Sequence, residues 1–256
     1  METPKFVTGM PALAAAGRLV ISDLHLGLEY DYRKGGIKFP SQTGKLQAMI
    51  FEALEKSGCR KITVIGDIKH KVPGTSFQEI KEIPEFFTKL LEMADIEIVP
   101  GNHDSGIAGM LPENVKVYPS GGFVSRGFYF GHGHTWPPEK AFSTRFMIIG
   151  HRHPAVEFRD SLGYRFTERV WVKGILERKT LERRYKNLPE RLPQVLVVPV
   201  FNPMVGGAAF NAGISGNDRD KIGPLLNAVD EEVSELFLLD GTYMGTIAQI
   251  KNAKLN

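Results

Sequence analysis

Five short segments, SDLHLG (22–27), GDIKH (66–70), GNHD (101–104), GHGH (131–134) and GHRH (150–153), each follow directly on an apolar run. Together they hold all seven histidines of the chain: His25, His70, His103, His132, His134, His151 and His153. Imidazole and carboxylate groups on rigid strand ends are the usual ligands of transition metals and the usual acid–base groups. One histidine in such a place reads as a core or capping residue. Seven in five such segments read as one constellation. Asp23 and Asp67 point the same way, because a carboxylate at the mouth of a buried strand is costly unless it is paired or bound to metal.

The elements that must position these groups follow from periodicity. RLVISD and KITVIGD read as strands, and between them Leu46, Met49, Ile50, Ala53 and Leu54 give residues 45–57 a helical stripe that Gly58 can stop. A second helix opens with Ser76 and Glu79 in a capping-box arrangement and carries Ile80, Ile83, Phe87, Leu90 and Leu91 toward IEIVPGNHD. Pro84 weakens its first turn. After residue 113 the pattern turns to strands: VKVYP, GFVSRGFYFGH, FMIIGHRHP, GYRFTERVWVKGIL, QVLVVPVF, ELFLLDG and TIAQI, with room only for short helices. This predicts an α/β (α+β) chain whose first half builds a largely parallel, buried sheet. In such sheets the C-terminal strand edges line one crevice, so groups far apart in sequence converge there. LERKTLERRYKN (176–187) mixes both signs of charge and reads as a solvated connector. GGAAFNAGISGND (206–218) reads as a long loop of the kind that is often functional.

Composition bounds the class. With 256 residues, 42% of them hydrophobic, a single domain over 1–256 is the expectation. The formal charge of +3 comes from 32 basic against 29 acidic residues, so no polybasic tail advertises nucleic acid. Cys59 alone cannot build a disulfide framework, and the Pro- and Gly-containing N-terminus lacks the apolar core of a signal peptide. Apolar runs such as VLVVPVF are strand-sized, far short of the ~20 residues of a membrane span. A cytoplasmic protein with no membrane partner is the resulting expectation.

In their order, the five segments resemble the calcineurin-like metallophosphoesterase superfamily, whose pattern runs D-x-H, GD, GNH(D/E), a lone H and GHxH. The resemblance covers about residues 18–153. SDLHLG, GDIKH and the later FNPMVGG look like the branch that includes archaeal and DNA-ligase-associated phosphoesterases. It implies a two-sheet β-sandwich flanked by helices, with the later strands up to TIAQI completing the second sheet. It also implies that Asp23, His25, Asp67 and His153 surround one metal ion and that Asp67, Asn102, His132 and His151 surround a second, Asp67 bridging the two. Imidazole, carboxylate and amide ligands suit Mn, Fe, Zn, Co or Ni rather than a dedicated Mg or Ca site, with manganese the working assignment.

The chemistry so implied is in-line attack on phosphorus by a metal-bridging hydroxide, with no protein nucleophile. His103 would donate a proton to the leaving group. Asp104 would orient its imidazole or else make a local turn contact with backbone. His132, first after its strand, is taken as the ligand, leaving His134 to touch substrate or support a ligand; the two are interchangeable on sequence. Lys69 and His70 face incoming phosphate, or are a solvated lysine and a supporting imidazole. Arg33, Lys34 and Lys38 steer an anionic substrate or lie on an exposed loop, and Arg152 points away between two ligands. The expected activity is hydrolysis of phosphate esters, foremost phosphodiesters. A metal-dependent DNA nuclease acting in repair with a partner and a non-enzymatic metal-binding scaffold are the alternatives. The substrate is thus a phosphate ester, up to a nucleotide or nucleic acid, and the oligomeric state is left open.

Overall fold

The computed structural model of the chain describes residues 2–37, 39–212 and 223–253. Lys38 and positions 213–218 of the glycine-rich loop lie outside them. One sheet has six strands in sequential order: β1 (Lys5–Phe6), β2 (Leu13–Ala15), β3 (Arg18–Ile21), β4 (Lys61–Ile65), β5 (Asp95–Val99) and β6 (Lys116–Val117). From β3 to β6 every pairing is parallel, as the alternation of strands and helices demands. The crossovers carry α1 (Leu28–Lys34), α2 (Thr43–Ser57) and α3 (Phe77–Leu91). Gly58 ends α2 in the left-handed conformation, and Ser76 and Glu79 close the capping box of α3.

The other sheet has nine strands: β7 (Phe123–Ser125), β8 (Phe128–Gly131), β9 (Phe146–Ile149), β10 (Pro154–Arg159), β11 (Arg165–Gly174), β12 (Gln194–Val197), β13 (Ala208–Ala209), β14 (Glu235–Leu238) and β15 (Tyr243–Thr246). Here β8, β9 and β12 run parallel to one another, while β10–β11 and β14–β15 are antiparallel pairs.

Strand alternation sorts the core into layers. Val20, Ile65, Val99, Phe130, Ile148, Leu196 and Val198 pack between the sheets. Their neighbours Leu19, Ile21, Val64 and Ile98 turn the other way onto α2 and α3, and Met147, Ile149, Val195 and Val197 turn onto the outer face of the nine-stranded sheet. The result is a two-sheet sandwich flanked by helices, the expected fold class. No helix among the described residues is long and apolar enough to cross a membrane.

Three readings of the sequence are corrected. TIAQI is not a strand: Thr246 ends β15 and caps a short helix, α5 (Ile247–Asn252), its hydroxyl accepting from Gln249 N. Ile247 and Ile250 are both buried on that turn, a spacing of three that a strand would send to opposite faces. In α3, Ile80 is 56% exposed and Phe86 is buried instead, because the phase of the stripe is set by Ile83, Phe87 and Leu90. The segment 176–187 is not simply a solvated connector. It contains the short helix α4 (Arg178–Glu182), buries Leu181, and packs Tyr185 edge-on against Trp136 and Phe142.

Candidate metal centre

All the parallel strands that carry a motif end at one shared edge of the two sheets. β3 delivers Asp23 and His25, β4 delivers Asp67, β5 delivers His103, β8 delivers His132, and β9 delivers His151 and His153. The sharp turn after β3, β4 and β9 shows in the backbone. Asp23, His25, Asp67, His151 and His153 have φ of 57°, 42°, 43°, 74° and 48°, a left-handed region that side chains other than glycine rarely occupy. Two glycines make the approach possible. A Cβ on Gly66 (φ 89°) would lie 2.0 Å from the His132 ring, and one on Gly101 would lie 2.1 Å from Asp67 Oδ1.

The resulting cluster joins the sheets. His132 Nε2 lies 3.0 Å from Asp23 Oδ1 and 3.6 Å from Asp67 Oδ2. His103 Nε2 and His25 Nε2 approach the same Asp67 oxygen to 3.8 and 3.9 Å. His153 Nε2 stands 3.4 Å from both Asp23 Oδ1 and His25 Nε2. Three sets, Asp23–His25–His153, His25–Asp67–His103 and Asp67–His132–His151, have all their donor atoms within 4.8 Å of one another. Donors sharing one transition-metal ion at ~2.1 Å stand ~3.0–3.5 Å apart, close to these separations. Nitrogens that face a carboxylate oxygen at 3.6–3.9 Å are too far for hydrogen bonds. The donor set therefore fits divalent metal.

Electrostatics agree. Burial pushes the Asp23 carboxyl up, but the charge of His153 and hydrogen bonds from His132 and His153 outweigh it and hold the group well below the usual carboxylate range. Burial pushes His25 well down, His151 down to about 3 and His134 down to about 4, the last two helped by His132. These rings are neutral near pH 7 and present the lone pair that a metal ion needs. Burial also lowers His132 and His153, yet the carboxylates of Asp23 and Asp67 raise both above the ordinary imidazole value.

Around this cluster the remaining candidates separate. His134 Nδ1 lies 2.9 Å from His132 Nδ1, so it touches the ring that faces the carboxylates rather than the carboxylates themselves. His70 lies 3.4 Å from both His25 Nδ1 and Asp31 Oδ2. Lys69 does not face the cleft. It is 1% exposed, and its Nζ donates to the carbonyls of Lys71 and Gly74 at 2.7 and 2.8 Å. Asp104, pushed up to about 6 by burial, spends its oxygens on the backbone N–H groups of Ile68, Lys69 and Gly101. His103 Nδ1 instead donates to His70 O at 2.6 Å. Asn102 is exposed at the rim. Arg33 is exposed and hydrogen-bonded to Gln78, Lys34 sits over the Tyr30 ring, and Arg152 lies over Phe210.

Sequence reading missed several supports. Ser22 Oγ donates to Asp23 Oδ2 and approaches Ile65 O at 3.0 Å. Asn202, 2% exposed, donates to Leu24 O, and Phe201 N donates to Ser22 O, tying FNPMVGG to the first motif loop. The Asn-Pro pair signals a turn, but nothing local signals its distant partner.

A sandwich that gathers histidines and aspartates from both sheets onto one edge is the scaffold of a metal-dependent phosphate-ester hydrolase. The model of the calcineurin-like phosphoesterase family matches residues 18–185, and the chain belongs to that family. Among solved structures, nuclease MPE of Pseudomonas putida is similar in fold, with a TM-score of 0.54, 18% identity, and coverage of 93% of this chain and 95% of that one. The E. coli phosphoesterase Yfce aligns with a TM-score of 0.38 at 13% identity over 93% of this chain and 99% of that one. No curated protein matches the chain.

Proposed function

We propose that the chain hydrolyses phosphodiesters at this cluster, with two divalent ions held by the protein. The observation that carries the reading is Asp67, whose Oδ2 is ringed by nitrogens of His25, His103 and His132 at 3.6–3.9 Å. Asp23, His25, Asp67 and His153 would hold one ion, and Asp67, Asn102, His132 and His151 the other. Each group contains one of the clustered donor sets, and the buried, carboxylate-facing position of His132 supports it over His134. Bound ions of this kind activate water and offset charge on the phosphoryl group. The chain's own contribution beyond ligation is His103. Its Nδ1–H is fixed on a carbonyl, so a proton on Nε2 is the one presented to a leaving oxygen. Imidazole-rich ligation supports manganese or a neighbouring transition metal over magnesium.

The test is hydrolysis of bis-p-nitrophenyl phosphate by metal-stripped protein resupplied with Mn2+. Asp67→Asn should lose activity by at least ~10³-fold together with one or more equivalents of bound metal, because removing the bridging charge weakens both sites. An Asp67→Asn variant with full turnover would sink the reading.

A nuclease reading is favoured by one feature of the rim. Tyr30 lies under Lys34 and Lys71, Tyr32 packs on Phe39, and Phe77 is 79% exposed beside the cleft loop 70–76. Half-buried and exposed rings, with two lysines over Tyr30, suit stacked bases of a single strand. Mn2+-dependent cleavage of single-stranded DNA that falls in Phe77→Ser while bis-p-nitrophenyl phosphate turnover holds would establish it.

A further inference from the structure

Two buried charges sit beneath the loop that leads from Asp67 to α3, and neither reaches the cleft. The Lys69 ammonium donates to Lys71 O and Gly74 O. The Glu79 carboxylate, 0% exposed, accepts from the backbone N–H groups of His70 and Lys71 at 2.9 and 2.7 Å, and also from Ser76 N. A capping box needs only the last of these bonds. The other two, with the pair from Lys69, pin amides and carbonyls along residues 70–74. What this loop presents to the cleft is the His70 carbonyl, and that carbonyl receives His103 Nδ1–H at 2.6 Å. Asp104, next to His103 in sequence, is fully occupied by backbone amides.

We infer that Lys69 and Glu79 are positioning residues for His103: by fixing the His70 carbonyl they aim the imidazole so that Nε2 meets the leaving oxygen. This rests on the reading of His103 as proton donor given above. A merely stabilising loop would affect all substrates alike. A loop that aims a proton donor matters most where the leaving group needs the proton. Its loss should also be masked when the donor is already gone.

The experiment compares bis-p-nitrophenyl phosphate with diphenyl phosphate, whose leaving group is the poorer, in wild type, Lys69→Met, His103→Ala and the double variant, with bound metal measured in each. Expected for Lys69→Met is full metal, a fall of about 10–100-fold on diphenyl phosphate and under about threefold on the nitrophenyl ester, and no further loss when combined with His103→Ala. Glu79→Gln, which keeps the capping box, should show the same pattern more weakly, and carries the test if Lys69→Met does not fold. Equal losses on both esters, or losses that multiply with those of His103→Ala, would overturn the inference while leaving the proton donor in place. A fully active His103→Ala would overturn the underlying reading, and this one with it.

Discussion

The left-handed backbone at Asp23, His25, Asp67, His151 and His153 has an energetic meaning at the scale of single residues. Each such non-glycine residue costs about 1–2 kcal/mol relative to an ordinary conformation. That cost is sustained where side chains must turn off a strand end toward a common point. The glycines beside them are equally constrained. Gly66→Ala would combine a strained φ with a Cβ driven into His132. We expect a loss of about 2 kcal/mol or more, read from the denaturant midpoint, and a displaced His132 that costs turnover out of proportion to stability. The histidines and the two strand-end aspartates were legible in the sequence because their types are rare and their positions recur. Ser22 and Asn202 were not, nor was the reach of Glu79 beyond its capping box to the amides of His70 and Lys71. Their roles depend on which backbone groups a distant loop brings near, and no local pattern encodes that.

At the scale of elements, neighbouring strands are locked by more than their ladders. Arg18 on β3 reaches across to Glu97 on β5 at 3.1 Å, with Lys61, Thr63 and Tyr118 on the same carboxylate. The Arg18 guanidinium also lies over the Phe123 and Phe130 rings of the opposite sheet, at 5.6 and 5.2 Å. Burial raises the Glu97 pKa, but Arg18 and then Lys61 outweigh it, leaving the group below its ordinary value. Its stabilisation is therefore full above the unfolded value of about 4.3 and is lost as pH falls through the lower folded one. Melting temperatures should drop more steeply with acid in the wild type than in Glu97→Gln over that window. Arg18→Met, which removes the nearest cation of a buried carboxylate but leaves Lys61, Thr63 and Tyr118 on it, should cost about 1–3 kcal/mol at pH 7. Elements with long stripes and caps, α2 and α3, were readable from sequence. β10 was passed over and TIAQI misassigned because a few apolar residues fit a strand or a helical turn equally well, and tertiary burial decided between them.

At the scale of the whole molecule, the family fixes the architecture, and the clustered donors mark a place where a divalent ion would fit. Chelation should abolish turnover, with Mn2+ restoring it. At a hundredfold excess over Kd, an ion bound only by the native state adds about 2.7 kcal/mol. For a chain of this size that is about 5–10 °C in Tm, measurable by calorimetry with and without chelator. The cluster also straddles a seam. Asp23, His25, Asp67 and His103 ride on one sheet, and His132, His151 and His153 ride on the other. Loaded with metal, it would behave as a rivet. Peeling the two halves apart would have to break coordination bonds first, so slow amide exchange in β8 and β9 should speed up on demetallation far more than exchange at the distant edge strand β15.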